Sequence, residues 1–160
     1  MFKRILVPVD GSVTSNLALD AAIDLALTCD GRLRVVHALD EPLWLAAYGM
    51  HGRTGAGLHE VMCHSGDELL HKAMEKARSA GVEADMMLLD KPGVRLSEAV
   101  ANATKRWDAD LVVLGSHGRK GFHRLVMGSG AEQVIRHAPV PVLVIRGSAP
   151  PPSTEACATP

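Results

Sequence analysis

Between Gly115 and Ala131 the chain reads GSHGRKGFHRLVMGSGA, in which glycines and basic residues separate an apolar run from a helix-like pattern. Each residue type suggests a task. Gly115 ends its run without a Cβ, so a ligand can approach the backbone closely, and Gly118 and Gly121 permit left-handed turns. Gly128 and Ser129 stand where the next helix begins. Free N–H groups and the helix dipole favour an anion there, and a serine hydroxyl can donate to it. Arg119, Lys120 and Arg124 add positive charge. The chemistry these parts describe is a cradle for phosphate. No G-x-x-x-x-G-K-[ST] occurs, and no G-x-G-x-x-G follows the first apolar run, so the P-loop and the dinucleotide fingerprint are both absent. Left to spacing alone, a plain strand-to-helix connection with solvated Arg and Lys competes evenly with a binding loop.

A second stretch with chemistry is VDGSVTS, Val9 to Ser15. Asp10 can hold a ribose or base there, and with Ser12 and Thr14 it can equally initiate a helix as a cap or Asx-turn. A third group is His51, His59, Cys63, His64 and His71. His59 and Cys63, four residues apart, share one helical face, but no carboxylate or second pair completes a closed set at an obvious spacing. No metal site is expected, and the face reads as polar with a partly buried thiol.

The elements that position these residues follow from periodicity. RILVPV (Arg4 to Val9), LRVVHAL (Leu33 to Leu39), ADMMLL (Ala84 to Leu89), DLVVLG (Asp110 to Gly115) and PVLVIR (Pro141 to Arg146) are short apolar runs, mostly without polar alternation. That is the mark of strands covered on both faces. Between them lie helical stripes: Leu17, Ala21 and Leu25 flanked by Ala18 and Ala22; Leu69, Ala73 and Ala77; Leu96, Val100 and Ala103 with Trp107 beyond; and Ala131, Val134, Ile135 and Ala138. Strands alternating with helices predict βαβ units, hence a parallel sheet with helices on both faces. Met86 and Met87 read as core filler. Residues 41–66, rich in Gly and His, look like an insertion that becomes helical after Gly57, with Trp44 and Tyr48 as a lid, a dimer contact or local packing. From Gly147 the Pro-, Ser- and Ala-rich tail is expected to be disordered.

Bulk properties narrow the classes further. The chain has 160 residues, the size of one domain, with 47% hydrophobic and 22% charged residues. A formal charge of −1 provides no global field toward nucleic acid or membrane, and 3% aromatics is too few for base-stacking platforms. No apolar run reaches the roughly 20 residues of a membrane span. The apolar stretch of the N-terminal MFKRILVPVDGS is too short for a signal peptide. Cys29, Cys63 and Cys157 are odd in number and scattered, as free thiols in a reducing cytoplasm would be.

Gly115-x-x-Gly118, nine residues, then Gly128-Ser129 resembles the nucleotide-binding motif of the universal stress protein family. The likeness continues through AEQVIRHAPVPVLVIR (Ala131 to Arg146) and, at the N-terminus, ILVPVDGS (Ile5 to Ser12), and spans residues 1–146. With it, the expected fold is a single-domain, five-stranded parallel doubly wound, Rossmann-like sheet of strand order 3-2-1-4-5.

The resemblance implies a site for ATP, or for ADP or AMP, with Mg²⁺ on the phosphates. Asp10 would contact the adenosine, with Pro8 and Val9 beside it, and Ala38 would offer backbone groups to the adenine. Gly115 and Gly118 would line the ribose and α-phosphate, flanked by Leu114 and Arg119. Gly128 and Ser129 would hold the β- and γ-phosphates, and Gly130 and Ala131 would continue the contact through backbone N–H groups. The family usually has Val and then a small, often hydroxylated residue after Gly-Ser. Gly130 instead loosens the first helical turn by up to ~1 kcal/mol, and Ala131 offers no hydroxyl. The resemblance also implies a cytoplasmic homodimer pairing its last strands antiparallel over Val140 to Arg146.

An efficient phosphoryl-transfer enzyme is not indicated, because nothing fixes His117 or His123 as acid or base and no carboxylate is placed to hold a metal at the γ-phosphate. The leading expectation is a stress-response binding and regulatory module. The alternatives are a weak ATPase or self-phosphorylating enzyme, modified at Ser129 or Ser116, and a nucleotide-free structural dimer.

Overall fold

A computed structural model of the chain describes residues 1–39, 53–91, 93–117 and 128–147. Strands β1 (Arg4–Pro8), β2 (Arg32–Ala38), β3 (Ala84–Leu89), β4 (Leu111–Gly115) and β5 (Val142–Ile145) alternate with helices α1 (Val13–Cys29), α2 (Arg53–Ser79), α3 (Leu96–Arg106) and α4 (Ser129–His137). All pairings are parallel, and the strand order is β3-β2-β1-β4-β5. The expected architecture and order are therefore present, with strand ends displaced by at most one residue.

The apolar runs form strands covered on both faces because successive side chains of a strand point to opposite sides. Ile5 and Val7 enter one core with Ala18, Leu19, Ala22, Leu70, Ala73 and Ala77 from α1 and α2. Leu6 enters the other with Val100, Ala103 and Trp107 from the α3 region and Val134 from α4. Trp107 is 5% exposed, and the guanidinium groups of Arg4, Arg32 and Arg34 lie 5.1, 5.7 and 5.0 Å from its ring centroid. Arg34 is also held by a two-pronged contact to Asp85, at 2.6 and 2.7 Å.

Three expectations are corrected. The buried stripe of α1 runs through Ser15, Ala18, Leu19, Ala22, Ile23, Ala26 and Cys29, whereas Leu17 is 39% exposed. Asn16, Asp20, Asp24 and Thr28 recur every four residues and mark the opposite, polar face, the side on which Leu17 lies. Helix α2 begins at Arg53, so residues 53–66 belong to it and Gly57 lies inside it. In α4, Ile135 is 36% exposed and only Val134 of the expected stripe is buried. Residues 41–52, with Trp44, Tyr48 and His51, lie outside the described residues, as do residues 148–160 with Cys157. Cys29 and Cys63 are free thiols.

Candidate functional site

The chain runs β1, β2, β3 to one side, then returns to β4 and β5 on the other side of β1. The strand order thus reverses between β1 and β4, where open α/β sheets receive ligands at their carboxyl edge. Pro8 ends β1, Ala38 ends β2 and Gly115 ends β4, so the predicted residues of three neighbouring strands meet at that edge. Val9 is buried, its N–H donates to Val36 O at 2.8 Å, and its carbonyl accepts from Nδ1 of the buried His37 at 2.7 Å. That backbone geometry aims the following turn. Asp10 Oδ1 accepts from Ser12 N at 3.0 Å, Gly11 sits at φ 80°, and the Ser12 side chain caps α1 by accepting from Ser15 N. Asp10 is thus an Asx-turn residue at the switch point.

The loops after β1 and β4 are fastened together. Thr14 Oγ1 and Ser12 Oγ both donate to the His117 carbonyl, and Ser116 Oγ meets His117 Nδ1 at 2.9 Å. A Cβ on Gly115 would lie 2.6 Å from the Thr14 carbonyl carbon and 2.9 Å from Ser15 N. The missing side chain of Gly115 therefore admits the first turn of α1, a packing role beside the ligand approach that the sequence suggests. Leu114 is buried in the core beneath this edge.

Gly128 is brought to the same place, because its N–H donates to Ser116 O at 2.9 Å, and Ser116 N–H donates to Ile145 O at 2.8 Å. Gly128 is the N-cap of α4 and, being glycine, offers no side-chain acceptor. The first-turn N–H groups of a helix have no intrahelical partner, so those of Ser129, Gly130 and Ala131 face the edge with the positive end of the dipole. Ser129 is exposed; Gly130 and Ala131 are half-buried. A Cβ on Gly130 would press to 3.1 Å from Leu96 Cδ2, so this glycine also lets α3 and α4 start close together. Gly118, Arg119, Lys120, Gly121, His123 and Arg124 lie outside the described residues. Beside the β1 turn opens a cleft of about 400 Å³ lined in part by Val9, Gly11, Asn16, Lys72 and Lys76.

Sequence reasoning missed His37, which reads as an ordinary strand residue, and the bonds that Ser12 and Thr14 make to His117. It also missed Asp90, just beyond β3, whose carboxylate lies 3.1 Å from His59 Nε2 and 3.8 Å from Cys63 Sγ. Burial pushes the Cys63 thiol above its ordinary pKa; the charge of Asp90 and its hydrogen bond add to this, and Asp67 contributes least.

A doubly wound parallel sheet with an Asx-turn at its switch point defines the class of open α/β proteins, whose ligands sit at the carboxyl edge. The universal stress protein family matches residues 1–146, and the chain belongs to it. A universal stress protein of Methanocaldococcus jannaschii is 34% identical over 148 residues, covering 91% of this chain and 83% of that protein. Among solved structures, a universal stress protein family member from Burkholderia pseudomallei is 30% identical, with a TM-score of 0.71 and coverage of 90% of this chain and 96% of that one. A universal stress protein in complex with cAMP (21% identical, TM-score 0.66, covering 92% and 99%) shares the fold. So does the Archaeoglobus fulgidus universal stress protein in complex with dAMP (23%, 0.62, 91% and 98%).

Proposed function

We propose that this chain is an adenine-nucleotide-binding module of the universal stress response, acting as a cytoplasmic homodimer whose occupancy alters how it meets a partner. The observation that carries the reading is the N-terminus of α4. It has no side-chain cap and is tied through Gly128 N–H to the end of β4, next to the Asp10 turn at the switch point. A phosphate fits the N–H groups of Ser129, Gly130 and Ala131, which need an acceptor. Ser129 is exposed, and its hydroxyl is available for a further contact. Asp10 and the backbone at Val9 and Ala38 are the groups for the adenosine part. Two family members with this fold, in complex with cAMP and with dAMP, support adenine as the base. ATP with Mg²⁺ is the form proposed for this chain, the metal neutralising the phosphates that the helix end alone cannot balance.

The test is a denaturing extraction of the purified protein with mass spectrometry of what is released, followed by melting curves with ATP, ADP, AMP and cAMP, with Mg²⁺ or with EDTA. Adenine nucleotide near one per chain is expected. Ligand at 100 times its Kd should add about 2.7 kcal/mol to stability, with MgATP giving the largest shift. An empty protein whose melting no adenine nucleotide moves would overturn the reading.

A further inference from the structure

On the far side of the sheet from α4, His59 and Cys63 of α2 and Asp90 beyond β3 bring three different metal-binding atoms within 4.8 Å of one another. The separations are 3.1 Å from His59 Nε2 to Asp90 Oδ2, 3.6 Å from His59 Nε2 to Cys63 Sγ and 3.8 Å from Cys63 Sγ to Asp90 Oδ2. A tetrahedral Zn²⁺ with bonds of about 2.3 Å to sulfur, 2.0–2.1 Å to nitrogen and 2.0–2.2 Å to oxygen places its ligands about 3.4–3.6 Å apart. All three observed separations lie within about 0.3 Å of that range.

We propose that His59, Cys63 and Asp90 form a Zn²⁺ site, independent of the nucleotide site, with a fourth position left for water or another ligand. Three features select the metal. Thiolate with imidazole is a soft-to-borderline donor pair that suits Zn²⁺ and disfavours Mg²⁺ or Ca²⁺. Spacing of i, i+4 places His59 and Cys63 on one face of α2, which needs no loop rearrangement to present both. The carboxylate of Asp90 comes from a separate element, so the ion would bridge α2 to the carboxyl end of the edge strand β3. The imidazole must adjust. Sγ lies 3.9 Å from Nδ1 as well as 3.6 Å from Nε2, so the ring turns about its Cβ–Cγ bond to aim Nε2 between the other two ligands. Metal-free, the same groups form a His–Asp contact with a thiol beside it.

The experiment uses the full chain without a polyhistidine tag, stripped with chelator and titrated with Zn²⁺ by competition against a chromophoric chelator. One submicromolar Zn²⁺ per chain and a raised melting temperature are expected. Cys63→Ser and Asp90→Asn should each weaken binding by at least ~100-fold, since even outer-sphere changes cost 10–100-fold. Cys157→Ser should leave it unchanged. Co²⁺ in place of Zn²⁺ should give thiolate charge-transfer absorption that Cys63→Ser abolishes. Circular dichroism checks the fold of each variant, and Asp90→Asn decides the matter if Cys63→Ser does not fold. Absence of stoichiometric submicromolar binding, or binding that survives both site substitutions, would overturn the proposal and leave an ion pair only.

Discussion

Gly115 has a packing role that its place in the sequence did not announce. The space a side chain would fill is occupied by backbone atoms of Thr14 and Ser15, which cannot swing aside as a flexible side chain can. Gly115→Ala should therefore cost about 1–3 kcal/mol, the range for overpacking, read as a lower melting temperature. It should also weaken adenine nucleotide binding, because the displaced α1 turn carries the Asp10 loop with it. Wild-type stability in this variant would show that α1 is not seated against β4 as described. Ser12 acts more locally. Its side chain satisfies Ser15 N, so Ser12→Ala should lose about 1 kcal/mol of capping, a shift of roughly 2–4 °C for a chain of this size.

Among elements, α2 contains two glycines with opposite consequences. A Cβ on Gly57 would meet nothing within 4 Å, whereas one on Gly66 would press to 2.8 Å from Leu88 Cδ1 and 3.0 Å from His37 Cδ2. Gly57→Ala removes backbone freedom from the unfolded chain without a clash and should add about 0.5–1 kcal/mol. Gly66→Ala should destabilise, because Gly66 is where the helix comes close to the carboxyl ends of β2 and β3. It should also disturb His37, and through it the Val9 carbonyl. Paired melting curves check both signs. If both variants move the same way, propensity rather than packing governs this helix.

For the whole molecule the open question of contact is the β5 edge. β5 is an outermost strand of the sheet and Leu143 on it is 40% exposed. An edge strand presents unpaired backbone groups, and natural edges are commonly guarded by charge. The proposed dimer through Val140 to Arg146 would cover this one. Sedimentation should show a dimer for the natural chain and a monomer for Leu143→Lys, with circular dichroism unchanged. A natural chain that sediments as a monomer at every concentration would remove the dimer from the functional reading.

Chain order by itself determined the fold class, five strands to within a residue at each end, and the residues gathered at the carboxyl edge. It could do so because continuous apolar runs and helical stripes are local patterns that a two-faced parallel sheet requires. The family was legible too, since Gly115, Gly128 and Ser129 stand at diagnostic spacing. The buried face of α1 was legible as well, opposite the polar row of Asn16, Asp20, Asp24 and Thr28; distances across the fold were left to the tertiary structure. It alone showed that Gly115 and Gly130 make room for neighbouring elements, which depends on distances across the fold. And it alone brought Asp90 to His59 and Cys63: 27 residues separate Cys63 from Asp90, and only the parallel return of β3 beneath α2 closes that gap.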